Sequence, residues 1–204
     1  YRNQIKKVAR EMPFIPSLKE SEIDAMERNL GNWASVFAGA NSQFPGMGRD
    51  LYQQSAIARN FFDRHFRMAF SWPSELRLRT MEDVFAAPDA LLRRYEFAAP
   101  LIFMTSLALL EHFKDRTNGR IESKVTTGLS LGFFSALVDA GVLTVEDALR
   151  LIHKRTELSR EVFPFGRVRF VLANGLTEGE LNEVLKGFIP QNIGPEDSDV
   201  AIAI

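Results

Sequence analysis

The sequence predicts an α/β fold organised around a segment in which a strand leads into a serine-bearing turn and then a helix. Residues 125–132 read Val-Thr-Thr-Gly-Leu-Ser-Leu-Gly, and apolar residues at helical spacing follow them. A second strand, which we expect to be buried, is predicted at residues 36–38, where Val-Phe-Ala precedes a glycine-rich turn. Longer stretches with helical periodicity separate and follow these strands. Strands and helices that alternate in this way indicate an α/β domain.

Composition limits the class of protein. The chain has 204 residues, of which 46% are apolar and 25% charged, enough for one large or two small domains. A net charge of −1 argues against a nucleic-acid partner and against an anionic membrane surface. The absence of cysteine excludes a disulfide framework, a cysteine-based zinc site and a thiolate nucleophile. No uninterrupted apolar run is long enough to span a bilayer, so we expect a cytoplasmic or organelle-matrix protein.

The chain is expected to have three parts. Residues 1–33 form an N-terminal helical or linker segment, with a capped helix between Ser17 and Gly31. Residues 34–163 form the large subdomain. Residues 164–204 begin a small subdomain, with strands at 168–172 and 200–204 and a helix that Thr177 caps. Because the chain starts with Tyr and stops in a strand-like run, we expect it to be a piece of a longer protein.

Three longer helices are predicted in the large subdomain. The first, at residues 57–70, interleaves Phe and Arg; this favours an amphipathic core helix over a nucleic-acid platform. The second, at 101–113, begins at Pro100 and is apolar on every side, which indicates a buried helix. The third starts after Thr144 and runs to about residue 162. His65 on the first helix and His153 on the third are expected to face solvent.

Ser130 is the candidate nucleophile. A serine in a Gly-x-Ser-x-Gly turn between a strand and a helix is held in a strained conformation with its hydroxyl exposed. Gly128 and Gly132 leave room where the strand and the helix pass each other. The backbone N–H of Leu131 can then point at an oxyanion. The alternative is a plain glycine-bounded turn with no chemical role.

Arg155 is the candidate binding residue. On a helical wheel of residues 145–162 it falls within the apolar arc, between Ala148 and Val162. A guanidinium that faces the interior needs a carboxylate partner. The partner is either an Asp or Glu of the protein or an acidic group of a substrate.

Four stretches, taken together and in order, resemble one enzyme family. That family is the acyltransferase family that includes malonyl-CoA:acyl-carrier-protein transacylase and the acyltransferase domains of fatty-acid and polyketide synthases. The stretches are residues 37–52, which resemble its Phe-Pro-Gly-Gln-Gly-Ser-Gln-x-x-Gly-Met-Gly block; 99–101, which stand for its Gln-Pro-Ala; 128–132, for its Gly-His-Ser-Leu-Gly; and 140–155, for its Ala-Gly-x-Leu-x-x-x-Asp-Ala-Leu-x-Leu-Val-x-x-Arg.

The resemblance implies a fold and a mechanism. The fold would be an α/β-hydrolase-like large subdomain, with a parallel sheet flanked by helices, and a small ferredoxin-like subdomain, both incomplete in this chain. Ser130 would take a malonyl-type acyl group from CoA as an ester and pass it to the phosphopantetheine thiol of an acyl carrier protein. Arg155 would hold the free carboxylate, and the N–H groups of Leu131 and Ala40 would form the oxyanion hole. Acyl-CoA would be a substrate, with no cofactor and no metal, and other synthase domains would be further partners.

The sequence also departs from the family. Leu129 replaces the histidine before the nucleophile, Ala40 and Ala99 replace two glutamines, and Phe133 replaces a glutamate. The resemblance places the family's catalytic histidine beyond Ile204, and none of the histidines present matches it. Two other functions therefore stay open: a catalytically impaired docking domain with this fold, and a serine thioesterase or hydrolase.

Overall fold

The computed structural model of the chain describes residues 19–28, 33–71, 78–120 and 122–162, together with Thr177, Gly179, Glu180 and Glu183. The chain divides into two compact units, Tyr1–Val162 and Phe163–Ile204. The expected division into residues 1–33, 34–163 and 164–204 stays a prediction.

The first unit alternates helices with two short strands. In chain order its described elements are α1 (Glu20–Arg28), β1 (Ala34–Phe37), α2 (Arg49–Gln54), α3 (Ala56–Phe70), α4 (Met81–Phe85), α5 (Asp89–Leu92), α6 (Tyr95–Arg116), β2 (Val125–Gly128), α7 (Gly132–Asp139) and α8 (Val145–Val162).

The two strands form a parallel pair, with Ala34 opposite Val125 and Phe37 opposite Gly128. Helices α2 to α6 connect them along the chain, as a parallel connection requires. In a parallel pair both carboxyl ends lie at the same edge, so the loop after β1 and the turn after β2 begin side by side. The prediction that β1 is a buried strand is wrong in part. Phe37 is buried but Val36 is 74% exposed, because successive side chains of a strand point to opposite faces.

Helix α6 is the centre of the core, as its apolar sequence predicts. Phe97, Phe103, Met104 and Ala108 on it are fully buried. The helix begins at Tyr95 rather than at Pro100, which lies inside it. A proline there removes one backbone hydrogen bond, and burial of the first two turns outweighs that loss. In the part of the chain that the structure describes, α6 is the one helix long and apolar enough to cross a membrane, and 61% of its most apolar window is buried inside the protein.

Side-chain caps begin two of the helices where the sequence places them. Thr144 Oγ1 accepts from the N–H of Asp147 at 3.0 Å and starts α8. In the second unit, Thr177 Oγ1 accepts from the N–H of Glu180 at 3.4 Å and donates to its carboxylate at 2.7 Å, so the capping signal at Thr177 is confirmed. The strands expected at 168–172 and 200–204, and with them the ferredoxin-like subdomain, lie outside the described residues.

The prediction that His65 and His153 face solvent is wrong. His65 is buried at 6% exposure; its Nδ1 donates to the Phe61 carbonyl at 2.9 Å and its Nε2 lies 3.4 Å from Glu146. His153 is half-buried, and its Nε2 donates to the carbonyl of Ala69 at 3.2 Å. Both side chains join α3 to α8, a packing that the pattern of either helix alone does not show.

Candidate active site

Ser130 occupies the turn between β2 and α7. Its φ is +51°, in the left-handed region that costs a non-glycine residue about 1–2 kcal/mol. The residue is exposed, whereas Leu131 immediately after it is fully buried. The predicted strand, turn and helix are therefore confirmed, and the turn holds a serine hydroxyl out of the fold in a strained conformation.

Three glycines allow the backbones around this turn to approach closely. A Cβ on Gly128 would lie 2.2 Å from the carbonyl oxygen of Gly132, and one on Gly132 would lie 2.3 Å from that of Phe37. A Cβ on Gly39 would lie 2.5 Å from the carbonyl oxygen of Leu129. Real Cβ atoms do not come this near to backbone atoms. Glycine at 128 therefore lets the end of β2 pass the start of α7, and glycine at 39 and 132 lets the turn after β2 approach the end of β1 and the loop that follows it.

This contact places the backbone N–H groups of Ala40 and Leu131 at the same end of the sheet. The N–H of Leu129 extends the pairing by donating to the carbonyl of Phe37 at 3.1 Å. Ala40 then follows Gly39, and Leu131 follows Ser130. Within the described ranges, the N–H groups of Ala40 and Leu131 donate to no protein acceptor. Because both N–H groups lack an acceptor and lie at the same end of the sheet, they can donate to an oxyanion, the role that the resemblance implies for both.

Arg155 reaches Ser130 from α8. Its Nη2 donates to the Ser130 Oγ at 3.2 Å. The prediction that Arg155 faces the interior is wrong, because its side chain is exposed. Among the residues that the structure describes, no carboxylate lies within 4 Å of its guanidinium, so an internal Asp or Glu partner is not found there. A fixed positive charge beside a serine hydroxyl can receive the carboxylate of a ligand.

Tyr95 is a residue of this site that the sequence did not indicate. Its ring centroid lies 5.8 Å from the Cζ of Arg155. Burial raises the pKa of the Tyr95 hydroxyl, while the charge of Arg155 acts in the opposite direction. The local pattern did not point to Tyr95, because the helix predicted there begins at Pro100 and leaves Tyr95 outside.

None of the three histidines contacts Ser130 in the described part of the chain. His65 and His153 join α3 to α8, as described above. His112 on α6 lies with its Nδ1 2.9 Å from the Oγ of Ser55, the residue that caps α3. Burial lowers the pKa of His112, and the charge of Arg116 acts in the same direction. The base that would activate Ser130 is therefore not among these side chains.

Apolar side chains flank the candidate nucleophile. Leu129 is 72% exposed and Phe133 is 54% exposed. These are two of the positions at which the sequence departs from the family it resembles. The described residues contain no group of three or more His, Asp or Glu side chains placed to hold a metal ion.

Comparison with known proteins identifies the family. Residues 34–181 match the model of the acyl transferase domain. The chain belongs to this family. This acyl transferase domain is 34% identical over 151 residues to the malonyl CoA-acyl carrier protein transacylase of Bacillus subtilis, a match that covers 74% of the chain and 44% of the relative. The chain thus spans about half the length of the curated relatives it matches.

Solved structures with the same fold agree with this assignment. The crystal structure of the malonyl CoA-acyl carrier protein transacylase from Clostridium perfringens matches with a TM-score of 0.53 and 28% identity, over 78% of this acyl transferase domain and 48% of that chain. A malonyl-transacylase in complex with its type II polyketide synthase acyl-carrier protein matches with a TM-score of 0.53 and 28% identity, over 64% and 40% of the two chains. The α/β fold class is therefore confirmed.

Proposed function

We propose that this acyl transferase domain moves a malonyl-type acyl group from coenzyme A to the phosphopantetheine thiol of an acyl carrier protein through an ester on Ser130. One observation carries the proposal: an exposed serine in a left-handed turn accepts a hydrogen bond from a guanidinium with no carboxylate within 4 Å in the described ranges. The names of the relatives support the choice of malonyl group and carrier protein.

The site suggests a role for each residue. The Oγ of Ser130 attacks the thioester carbonyl, and the N–H groups of Leu131 and Ala40 stabilise the oxyanion that forms. The C–S bond then breaks, the thiolate of coenzyme A leaves, and the acyl group stays on Ser130 as an ester. The thiol of the carrier protein reverses these steps. Arg155 pairs with the free carboxylate of the acyl group throughout.

In the first half-reaction a base must accept the proton of the Ser130 hydroxyl and pass it to the departing thiolate of coenzyme A. In the second it must accept the proton of the carrier-protein thiol and return it to the Ser130 oxygen. Because His65, His112 and His153 are engaged elsewhere, the proposal requires a base that the full-length protein supplies. Acyl-CoA acts as a substrate and no other cofactor takes part. We place the reaction in the cytoplasm or an organelle matrix, with other synthase domains as further partners.

The test is an acylation experiment with the full-length protein. Incubation with malonyl-CoA should raise the intact mass by one malonyl group, and Ser130→Ala should abolish that adduct. Ser71→Ala is the matched control, because Ser71 is an exposed serine outside the site at the end of α3. An unchanged mass for the wild-type protein would overturn the proposal.

A docking domain that has lost catalysis is the second candidate. The lack of a histidine at Ser130 in the described residues and the exposed Leu129 and Phe133 favour it. Such a domain would bind a carrier protein without forming the ester. A thioesterase would form the ester but release malonate to water. Following the malonyl group with and without carrier protein therefore separates all three functions.

A further inference from the structure

Two contacts hold the guanidinium of Arg155 in the described part of the molecule. One is the hydrogen bond from Nη2 to Ser130, at 3.2 Å. The other is the ring of Tyr95, whose centroid is 5.8 Å from Cζ, within the range of a cation–π interaction. A substrate carboxylate would compete with Ser130 for the guanidinium, whereas the aromatic face would stay in contact with it.

Tyr95 is well placed to act as a support. It is the first residue of α6, and the three residues from Phe97 to Ala99 behind it are buried. Its hydroxyl is buried and, among the described residues, has no hydrogen-bond partner. The ring is therefore the part of Tyr95 that interacts with Arg155.

We propose that Tyr95 is a positioning residue that holds the Arg155 guanidinium over Ser130 and thereby sets the preference for acyl groups with a free carboxylate. This rests on the proposed function, because it assigns the acyl group through Arg155. An arginine side chain loses rotamer entropy when it is fixed, and a support that fixes it beforehand removes part of that cost from substrate binding. An acyl group without a carboxylate gains nothing from this support.

The size of the effect follows from the strength of the contact. At an exposed arginine a cation–π interaction corresponds to about a two- to fivefold change in binding. Tyr95→Leu should therefore lower kcat/KM for malonyl transfer about two- to fivefold, mainly through KM, and leave acetyl transfer unchanged. Tyr95→Phe keeps the ring and should restore the wild-type malonyl-to-acetyl ratio.

A matched control exists in the same chain. The Cζ of Arg59 on α3 lies 5.6 Å from the ring centroid of Tyr52 on α2, so this pair repeats the contact on helices that carry neither Arg155 nor Tyr95. Tyr52→Leu removes the same kind of contact and also a hydrogen bond to Asp63. It should lower stability without changing the malonyl-to-acetyl ratio.

The experiment measures both transfer rates in the full-length protein and, by ¹⁵N relaxation, the order of the Arg155 Nε–H bond. In Tyr95→Leu we expect a reduced malonyl-to-acetyl ratio together with an order parameter that falls below about 0.6, the value typical of flexible groups. A Phe variant as impaired as the Leu variant would overturn the role of the ring. So would an unchanged ratio or an unchanged order parameter in Tyr95→Leu. A wild-type protein that transfers no acyl group would overturn the proposed function instead, and the order parameter would still test the contact.

Discussion

Removal of the Arg155 side chain separates a role in substrate binding from a role in folding. Arg155→Ala deletes one hydrogen bond to Ser130 and one contact with the Tyr95 ring, at an exposed position. The ring contact is worth about 0.5–1 kcal/mol and the hydrogen bond about 0.5–1.5 kcal/mol, so the lost contacts amount to about 1–2.5 kcal/mol. For a domain of this size, 1 kcal/mol lowers Tm by about 2–4 °C, so we expect a fall of no more than about 10 °C.

The effect on malonyl transfer should be much larger. A hydrogen bond to a charged group contributes about 1.5–3 kcal/mol, and each 1.4 kcal/mol is a factor of ten. Because the site is open, one to two bonds at the lower end of that range predict a loss of about 10- to 100-fold in malonyl kcat/KM. Acetyl transfer should be unchanged or faster, since an acetyl group has no carboxylate to bind.

The assay is transfer of radiolabelled malonyl and acetyl groups from CoA to a carrier protein, with thermal melting of the same samples. Arg150→Ala is the control, because it removes a positive charge from the same helix where Arg150 pairs with Asp147 at 2.6 Å. It should leave the malonyl-to-acetyl ratio unchanged. An Arg155→Ala protein whose Tm falls by more than about 10 °C, with equal losses for both acyl groups, would show that Arg155 pairs with an internal carboxylate and would refute the reasoning.

Two further predictions concern stability. Gly132→Ala places a Cβ 2.3 Å from the Phe37 carbonyl oxygen and should lower the free energy of unfolding by more than about 3 kcal/mol. The control is Gly141→Ala, where φ is +70° but the space is open, and it should cost about 1–2 kcal/mol. Equal losses of the two variants in urea melts would show that the close approach at Gly132 does not require glycine. Burial lowers the folded-state pKa of His112, so below the unfolded value of about 6.5 the unfolded state takes up more protons and stability falls as pH decreases. His112→Gln should therefore reduce the loss of Tm between about pH 7.5 and about pH 5.5, and an identical loss in both proteins would contradict this.

How far the site could be predicted depends on whether a residue acts locally. Gly128 and Gly132 bracket Ser130 within five positions of the chain, so the strand, the turn and the helix follow from the local pattern. The cap at Thr144 is local in the same way. In both places the residues that determine the backbone conformation lie within about four positions of each other in the chain.

The burial of His65 could have been predicted from the sequence. Ala58, Phe62 and Ala69 are buried on α3, and their spacing places His65 on the same stripe. The expected surface position of His65 is wrong. The periodicity is the better guide, since the Phe61 carbonyl accepts from one ring nitrogen and Glu146 lies 3.4 Å from the other.

The helical wheel of α8 shows that the pattern of one helix does not decide which of its side chains are buried. The wheel placed Arg155 in the apolar arc, between Ala148 and Val162. Ala148, Leu149, Ile152 and Thr156 are buried, but Arg155 and Leu151 are exposed. A wheel gives the direction of each side chain about one axis. Which part of an arc is buried depends on the helices that pack against it.

The amino-acid sequence by itself determined the α/β class, the serine turn between two glycines and, through the order of its blocks, the acyl transferase family. The turn depends on five consecutive residues, and the class and the family depend on local patterns and on their order along the chain. Only the tertiary structure decided that Arg155 is exposed, that it donates to Ser130, and that Tyr95 lies against it. These three residues lie on different elements, and their distances are set by how α6, β2 and α8 pack, which no local pattern encodes.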